Sequence, residues 1–174
     1  MLKIIALILV VLIVAVLLYA ATRPDTFRIQ RAVSINAPAE KIFQYINDFR
    51  KWVDWSPWER MDPELKRSFS GTASGQGSVY EWEGPKVGKG RMEIAKISPP
   101  TSILIDLDFL KPFEAHNIAE FTLEPSGSTT TVTWAMYGPS PYIAKVMHIF
   151  FSMDKMVGKD FETGLANLKA SAER

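Results

Sequence analysis

The chain has 174 residues, 47% hydrophobic and 22% charged, a composition that suits one folded domain plus an appendage. Its formal net charge is +1, and of its 20 Lys and Arg only Lys3 and Arg23 lie in residues 1–23, which hold no acid. The remainder is close to neutral with no basic stripe, so no nucleic-acid footprint is present, and the lack of cysteine excludes disulfides, thiolate zinc sites and a thiol nucleophile.

From Ile4 to Ala21 there is no charge. As a helix this run is about 27 Å long at ~1.5 Å per residue, near the ~30 Å of a hydrocarbon core. A cleaved signal peptide has a shorter apolar region, about 7–15 residues, and a small residue where "LYAA" has Leu18 or Tyr19. The run therefore predicts an uncleaved membrane anchor at residues 1–23, crossing through residues 4–21, and a domain at 24–174. Lys3 and the free amine favour a cytoplasmic N-terminus, while Arg23, Arg28 and Arg31 oppose it. A signal anchor with so short a leading tail exports the chain on its C-terminal side, so the body is expected outside the cytoplasm.

"TFRIQRAVSI" alternates, with Phe27, Ile29, Arg31, Val33 and Ile35 on one side; it reads as a strand with one charge, Arg31, on its apolar face. "NAPAEKIFQYINDF" then changes period. Pro38 suits the first helical position, Glu40 the first turn, and Ile42, Ile46 and Phe49 one buried face. "WVDWSPWER" comes next, a turn-prone segment with Trp52, Trp55 and Trp58, broken by Pro57. Strands are predicted in "GSVYEWEG", "RMEIAKI", "SILIDLDF", "HNIAEFTLE" and "TTTVTWAMYG", separated by "GPKVGKG", "SPP" and "PSGS" turns. After "GPSPY" the tail is helical, with Met153, Met156, Val157, Phe161, Leu165 and Leu168 along one stripe. Gly158 and Gly164 interrupt it at about 1 kcal/mol each, and Gly164 lies near the stripe, where a missing side chain permits close approach.

A sheet with one apolar face needs a cover, and the last helix is the element long enough to supply it. A curved sheet round a helix leaves room for a concave apolar site. The strand into "APAEKIFQYINDFRKWVDWSPWE", then "KVGKGRMEI", "ISPPTSILIDLDFLKPF", "TTTVTWAMYGP" and "MDKMVGKDFETGLANLK", together resemble the SRPBCC superfamily from about Phe27 to Ala172. The likeness is greatest to its bacterial polyketide cyclase/dehydrase-like branch. It implies an α+β helix-grip (START-like) fold, a curved antiparallel sheet wrapped around a long C-terminal helix, here preceded by one transmembrane helix. It also implies a hydrophobic cavity between sheet and helix and a hydrophobic small molecule or lipid as partner; the apolar span departs from the minimal fold and, with the bacterial branch, predicts a bacterial inner membrane as location. It implies no single activity, since lipid carriers, cyclases and co-chaperones share the fold.

Three roles for Trp52, Trp55 and Trp58 stay open: a core plug, a pocket wall or an anchor at the membrane interface. Tyr80, Trp82, Met92, Trp134 and Met136 on strands, with Met153, Met156 and Phe161 on the last helix, form the expected cavity lining. His116, on a strand near Glu114 and Asn117, joins them as the better of the two histidines; neither it nor His148 has metal-ligand spacing. Asp106 and Asp108 share one face of a strand, opposite Ile105, Leu107 and Phe109, and are expected in water. "KVGKG" lacks the strand-to-helix context of a phosphate loop, and no GxSxG elbow is present. No cofactor, metal or catalytic residue is expected, and binding of a hydrophobic molecule is the favoured function. The alternatives are a cyclase or dehydratase acting on a lipid-like substrate, and a cavity-free module that binds membrane proteins.

Overall fold

A computed structural model describes all 174 residues. Helix α1 (Leu2–Ala21) is long and apolar enough to cross a membrane, and nearly all its side chains are exposed. It ends where Thr22 turns its hydroxyl back to the Tyr19 carbonyl at 2.7 Å, with Pro24 just beyond. Strand β1 (Thr26–Ile35) leads to α2 (Ala39–Ile46), which buries Ile42, Phe43 and Ile46. Pro38 caps this helix instead of starting it, and Phe49 falls in a separate 3-10 turn, Phe49–Asp54, followed by a second, Pro57–Arg60.

Six more strands complete the sheet: β2 (Lys66–Gly71), β3 (Ser78–Gly84), β4 (Gly88–Ser98), β5 (Ser102–Lys111), β6 (Ala115–Ser126) and β7 (Thr129–Pro139). All pairings are antiparallel, in the order β1-β7-β6-β5-β4-β3-β2, so the first strand closes beside the last and β2 takes the far edge. The expected alternation holds. Strand β5 buries Ile103, Ile105 and Leu107 and turns Asp106 and Asp108 away from the core, while β7 buries Val132, Trp134 and Met136. A register shift between β4 and β5 at Ile94/Lys96 adds a local bend.

The helical tail is divided. Helix α3 (Tyr142–Phe150) packs against α1, and α4 (Met153–Ala172) begins after a break at Phe151 and Ser152. Ser152 accepts a bond from the Lys155 amide and so caps the second helix. Helix α4 lies across β1, β7 and α2, burying Phe161, Leu165, Leu168 and Ala172 against the sheet. The antiparallel sheet with this covering helix is the α+β helix-grip arrangement.

Both odd features of the sequence pattern have a packing cause. Arg31, the charge on the apolar face of β1, crosses to α4 and pairs with Asp154 at 3.0 Å and Glu162 at 2.7 Å. It passes over Gly158, where a Cβ would collide with the guanidinium. At Gly164 a Cβ would stand 2.8 Å from the Trp134 ring and 3.2 Å from Pro57, so the glycine admits the indole against the helix.

Candidate functional site

Between the sheet and α4 lies a cavity of about 330 Å³, at the lower end of the ~300–1,000 Å³ found for small-molecule sites. Fifteen of its eighteen lining residues are hydrophobic, and the others are Ser56, Glu59 and Lys86. Exposed Met61 and Lys86 mark its mouth, between the second 3-10 turn and the β3–β4 turn. A shallower polar cleft adjoins it, shares Lys86, Val87 and Phe109, and is lined otherwise by Lys66, Lys89, Lys111, Glu64 and Glu83.

One end of the sheet–helix interface is filled with rings. Trp52 and Trp55 are buried with centroids 4.7 Å apart, and both meet Phe121 and Trp134 edge-on. Trp134 in turn stacks on Phe161 at 4.2 Å. The two indoles are also held by hydrogen bonds, Trp52 Nε1 to the Ile46 carbonyl at 2.9 Å and Trp55 Nε1 to the Tyr45 carbonyl at 3.2 Å. Their burial rules out a membrane-interface role for this pair. Gly90 makes room for Trp82, whose ring would meet a Cβ at that position.

Of the expected lining, the structure brings Trp52, Trp58, Tyr80, Trp82, Met92, Trp134, Met136 and Phe161 around this one space. Trp55 is excluded from it, because it sits behind Trp52 as a fully buried plug. Met153 is half-buried against the core outside the cavity, and Met156 is exposed, because it lies beside the inward row that Met153, Val157, Phe161 and Leu165 make at steps of four. His116 is outside as well: it lies on the solvent side of β6, where its Nδ1 meets the Asp108 carboxylate. That partner pushes its pKa up, with Asp106 adding to the effect.

The polar side of the cavity is a feature that sequence reasoning misses. Glu59, nearly buried, accepts a bond from the Tyr80 hydroxyl at 2.6 Å and from Arg67 Nε at 2.5 Å. Arg67 also bonds the Glu59 carbonyl at 2.9 Å. Burial and the neighbouring Glu59 push the Tyr80 phenol well above its ordinary pKa, and the same carboxylate raises that of Arg67. The only sequence signal for this cluster is a carboxylate set directly after a proline and a tryptophan. Leu107 and Phe109 line the cavity from the apolar face that the alternation of β5 predicts, and Ala119 from the face that β6 shares with Phe121 and Leu123, where only its small size sets it apart.

Residues 26–173 match the family described as polyketide cyclase / dehydrase and lipid transport. The chain belongs to that family. Comparison with curated protein sequences finds no match. Among solved structures, protein CV1439 from Chromobacterium violaceum is similar, with 16% identity and a TM-score of 0.60 over 87% of this chain and 99% of that one. The Aha1 dimer from Colwellia psychrerythraea is similar at 19% identity and a TM-score of 0.59, covering 84% of this chain and 96% of that one. Major latex-like protein 151 from Panax ginseng gives 11% identity and a TM-score of 0.62, covering 87% and 100%. At such identities these likenesses show the helix-grip fold of the polyketide cyclase/dehydrase family and nothing finer.

Proposed function

We propose that this member of the polyketide cyclase/dehydrase family is a single-pass membrane protein, with residues 1–23 as anchor and 24–174 as a domain that binds a hydrophobic small molecule or lipid. The observation that carries the reading is the cavity: 330 Å³ of space walled by aromatic and aliphatic side chains. Apolar burial at ~25 cal/mol per Å² supplies the affinity. The Tyr80 hydroxyl and Glu59 supply a buried polar edge, which fixes the orientation of a bound molecule through a hydroxyl or amine. The family description, which includes lipid transport, agrees with such a cargo. Tethering suits it too, since an apolar ligand concentrates in the bilayer and a short connection holds the cavity close by.

Cyclase or dehydratase chemistry would have to run on Tyr80 and Glu59. His116 faces solvent, and no other titratable side chain except Lys86 at the mouth lines the space. A phenol with a raised pKa is a poor base near neutrality, which favours binding over catalysis. A cavity-free module does not fit the space observed. The finer placement, in a bacterial inner membrane with the body outside the cytoplasm, is tested by protease digestion of intact spheroplasts.

The direct test of binding is native mass spectrometry of the full chain in lipid nanodiscs. A co-purifying apolar molecule, lost from an Ala119→Leu chain whose larger side chain occupies the cavity, supports the reading. A chain that carries nothing, and takes up no fluorescent fatty acid, sinks it.

A further inference from the structure

Helix α3 is not needed to cover the sheet, yet it is fastened firmly to the start of the domain. The Tyr142 hydroxyl donates to the Leu17 carbonyl of α1 at 2.7 Å. Lys145, only 7% exposed, reaches the Asp25 carboxylate at 2.5 Å, and the Ser140 amide donates to the Asp25 carbonyl at 2.6 Å. Two bonds from α3 and one from Ser140 just before it thus hold the helix against the junction of α1 and β1. The lock leaves a row of large apolar side chains in the open: Tyr142, Ile143, Met147, Phe150 and Phe151. Steps of three and four residues put Ile143, Met147 and Phe150 on one face of the helix. No acid occurs from Tyr142 to Phe151, and the one lysine is turned inward to Asp25. Such a patch on a water-soluble face is uncommon and marks a contact surface.

The fastening to α1 says what covers it. We infer that the exposed face of α3 lies in the surface of the same bilayer that α1 crosses, as an interfacial helix that sets the tilt of the domain on the membrane; this rests on the anchor reading above. The depth agrees. Leu17 stands four residues before the end of α1, so Tyr142 meets it about 6 Å inside the apolar span at ~1.5 Å per residue. Interfacial helices bury their apolar face ~5–10 Å below the headgroups, and tyrosine is enriched at that level. The consequence for function lies in α4. Val157, which lines the cavity, stands six positions beyond Phe151, so the helix that walls the cavity is oriented directly from the membrane surface.

The chain has no cysteine, so single-cysteine labelling of the full chain tests this cleanly. A small environment-sensitive fluorophore would be placed at exposed positions, in Leu12→Cys, Phe150→Cys and Gly127→Cys chains reconstituted in phosphatidylcholine vesicles. Lipids carrying a nitroxide at a shallow or deep position, and aqueous iodide, serve as quenchers. The expected result is deep-nitroxide quenching at position 12, shallow-nitroxide quenching with several-fold protection from iodide at position 150, and free iodide quenching at position 127 on the distant β6–β7 turn. Quenching by lipid at 12 with full iodide access at 150 would overturn the inference and leave the anchor standing. Protection at 150 without lipid quenching would mean that a second copy covers the face, and would overturn it equally. No lipid quenching at 12 would remove the anchor itself, and the inference with it.

Discussion

Replacing Ala119 by leucine separates a true cavity from a filled core by the sign of one number. Ala119 is 4% exposed on β6, opposite Ile105 and Met136, with its side chain at the cavity wall. Leucine adds three carbons. At ~0.8 kcal/mol for each one buried, the gain is about 2.4 kcal/mol. Ordering the longer side chain costs about 0.5–1 kcal/mol. If the 330 Å³ is open, the variant gains roughly 1.5 kcal/mol, and at about 2–4 °C per kcal/mol for a domain of this size its Tm rises by ~3–6 °C. If neighbouring rings already fill the space, overpacking costs about 1–3 kcal/mol and Tm falls. Calorimetry of the full chain in detergent micelles, stripped of any cargo, reads the difference, since a bound molecule would itself raise the parent's Tm. Ala172→Leu is the internal control: Ala172 is 0% exposed in the core beneath α4 but lies outside the cavity, so it should lose about 1–3 kcal/mol. A drop in Tm for Ala119→Leu comparable to that of Ala172→Leu would refute the argument.

Three further outcomes are expected. Gly164→Ala should lower Tm despite a helix-propensity gain of about 1 kcal/mol, because its Cβ is forced against the Trp134 ring, whereas Gly158→Ala displaces only the flexible end of Arg31 and should stay near neutral. A Gly164→Ala chain as stable as the parent would remove that packing account. His116 should titrate by NMR above its ordinary value and fall back towards it in an Asp108→Asn chain, where Asp106 alone remains; since the folded pKa is the higher one, this pair stabilises below about pH 6.5 and its contribution fades as pH rises through the raised value. An unchanged midpoint in that variant would exclude the pairing. Tyr80 should ionise well above the ordinary phenol range in an ultraviolet titration, a step missing in Tyr80→Phe, and that variant should lose about 1–3 kcal/mol through the stranded Glu59 oxygen; a titration curve unaltered by the substitution would contradict the buried bond.

Legibility tracks the strength of the local pattern. Strands β5 and β7 announce themselves by strict alternation, and each apolar face predicted from Ile103 to Leu107 and from Val132 to Met136 is the buried one. Strand β2 has no such pattern: of its six residues only Phe69 is partly buried, since it is an edge that borrows its order from β3. The division between α3 and α4 is hidden for a related reason. Apolar residues continue across Phe150 and Phe151, but those of α3 point outward and those of α4 point to the sheet, and periodicity alone does not distinguish the two surroundings. The same ambiguity places Met156 on the buried stripe when the folded helix exposes it. Within the site, aromatic residues are readable because they are large and rare. Glu59 is not, because its burial depends on Arg67 of β2 and Tyr80 of β3, which pairing in the sheet brings to it.

The density of tryptophan in one short turn is explained by what a cavity requires. A void beside flexible side chains collapses, since aliphatic neighbours relax into it and recover contacts. Here the space is bounded by rings that brace one another. Trp134 is sandwiched between Phe121 at 4.9 Å and Phe161 at 4.2 Å, and Trp58 meets both Trp134 and Phe161 edge-on. Trp52 and Trp55 are tied to the backbone of α2 through their indole nitrogens, so neither can tilt into the gap without losing a bond. The first 3-10 turn thus closes one end of the sheet–helix interface and holds the other end open at the same time. The plug and the wall are one structure, with Trp55 as its buried back and Trp52 and Trp58 as its face toward the space. A cavity kept open in this way is already shaped before a ligand arrives, which lowers the ordering cost of binding.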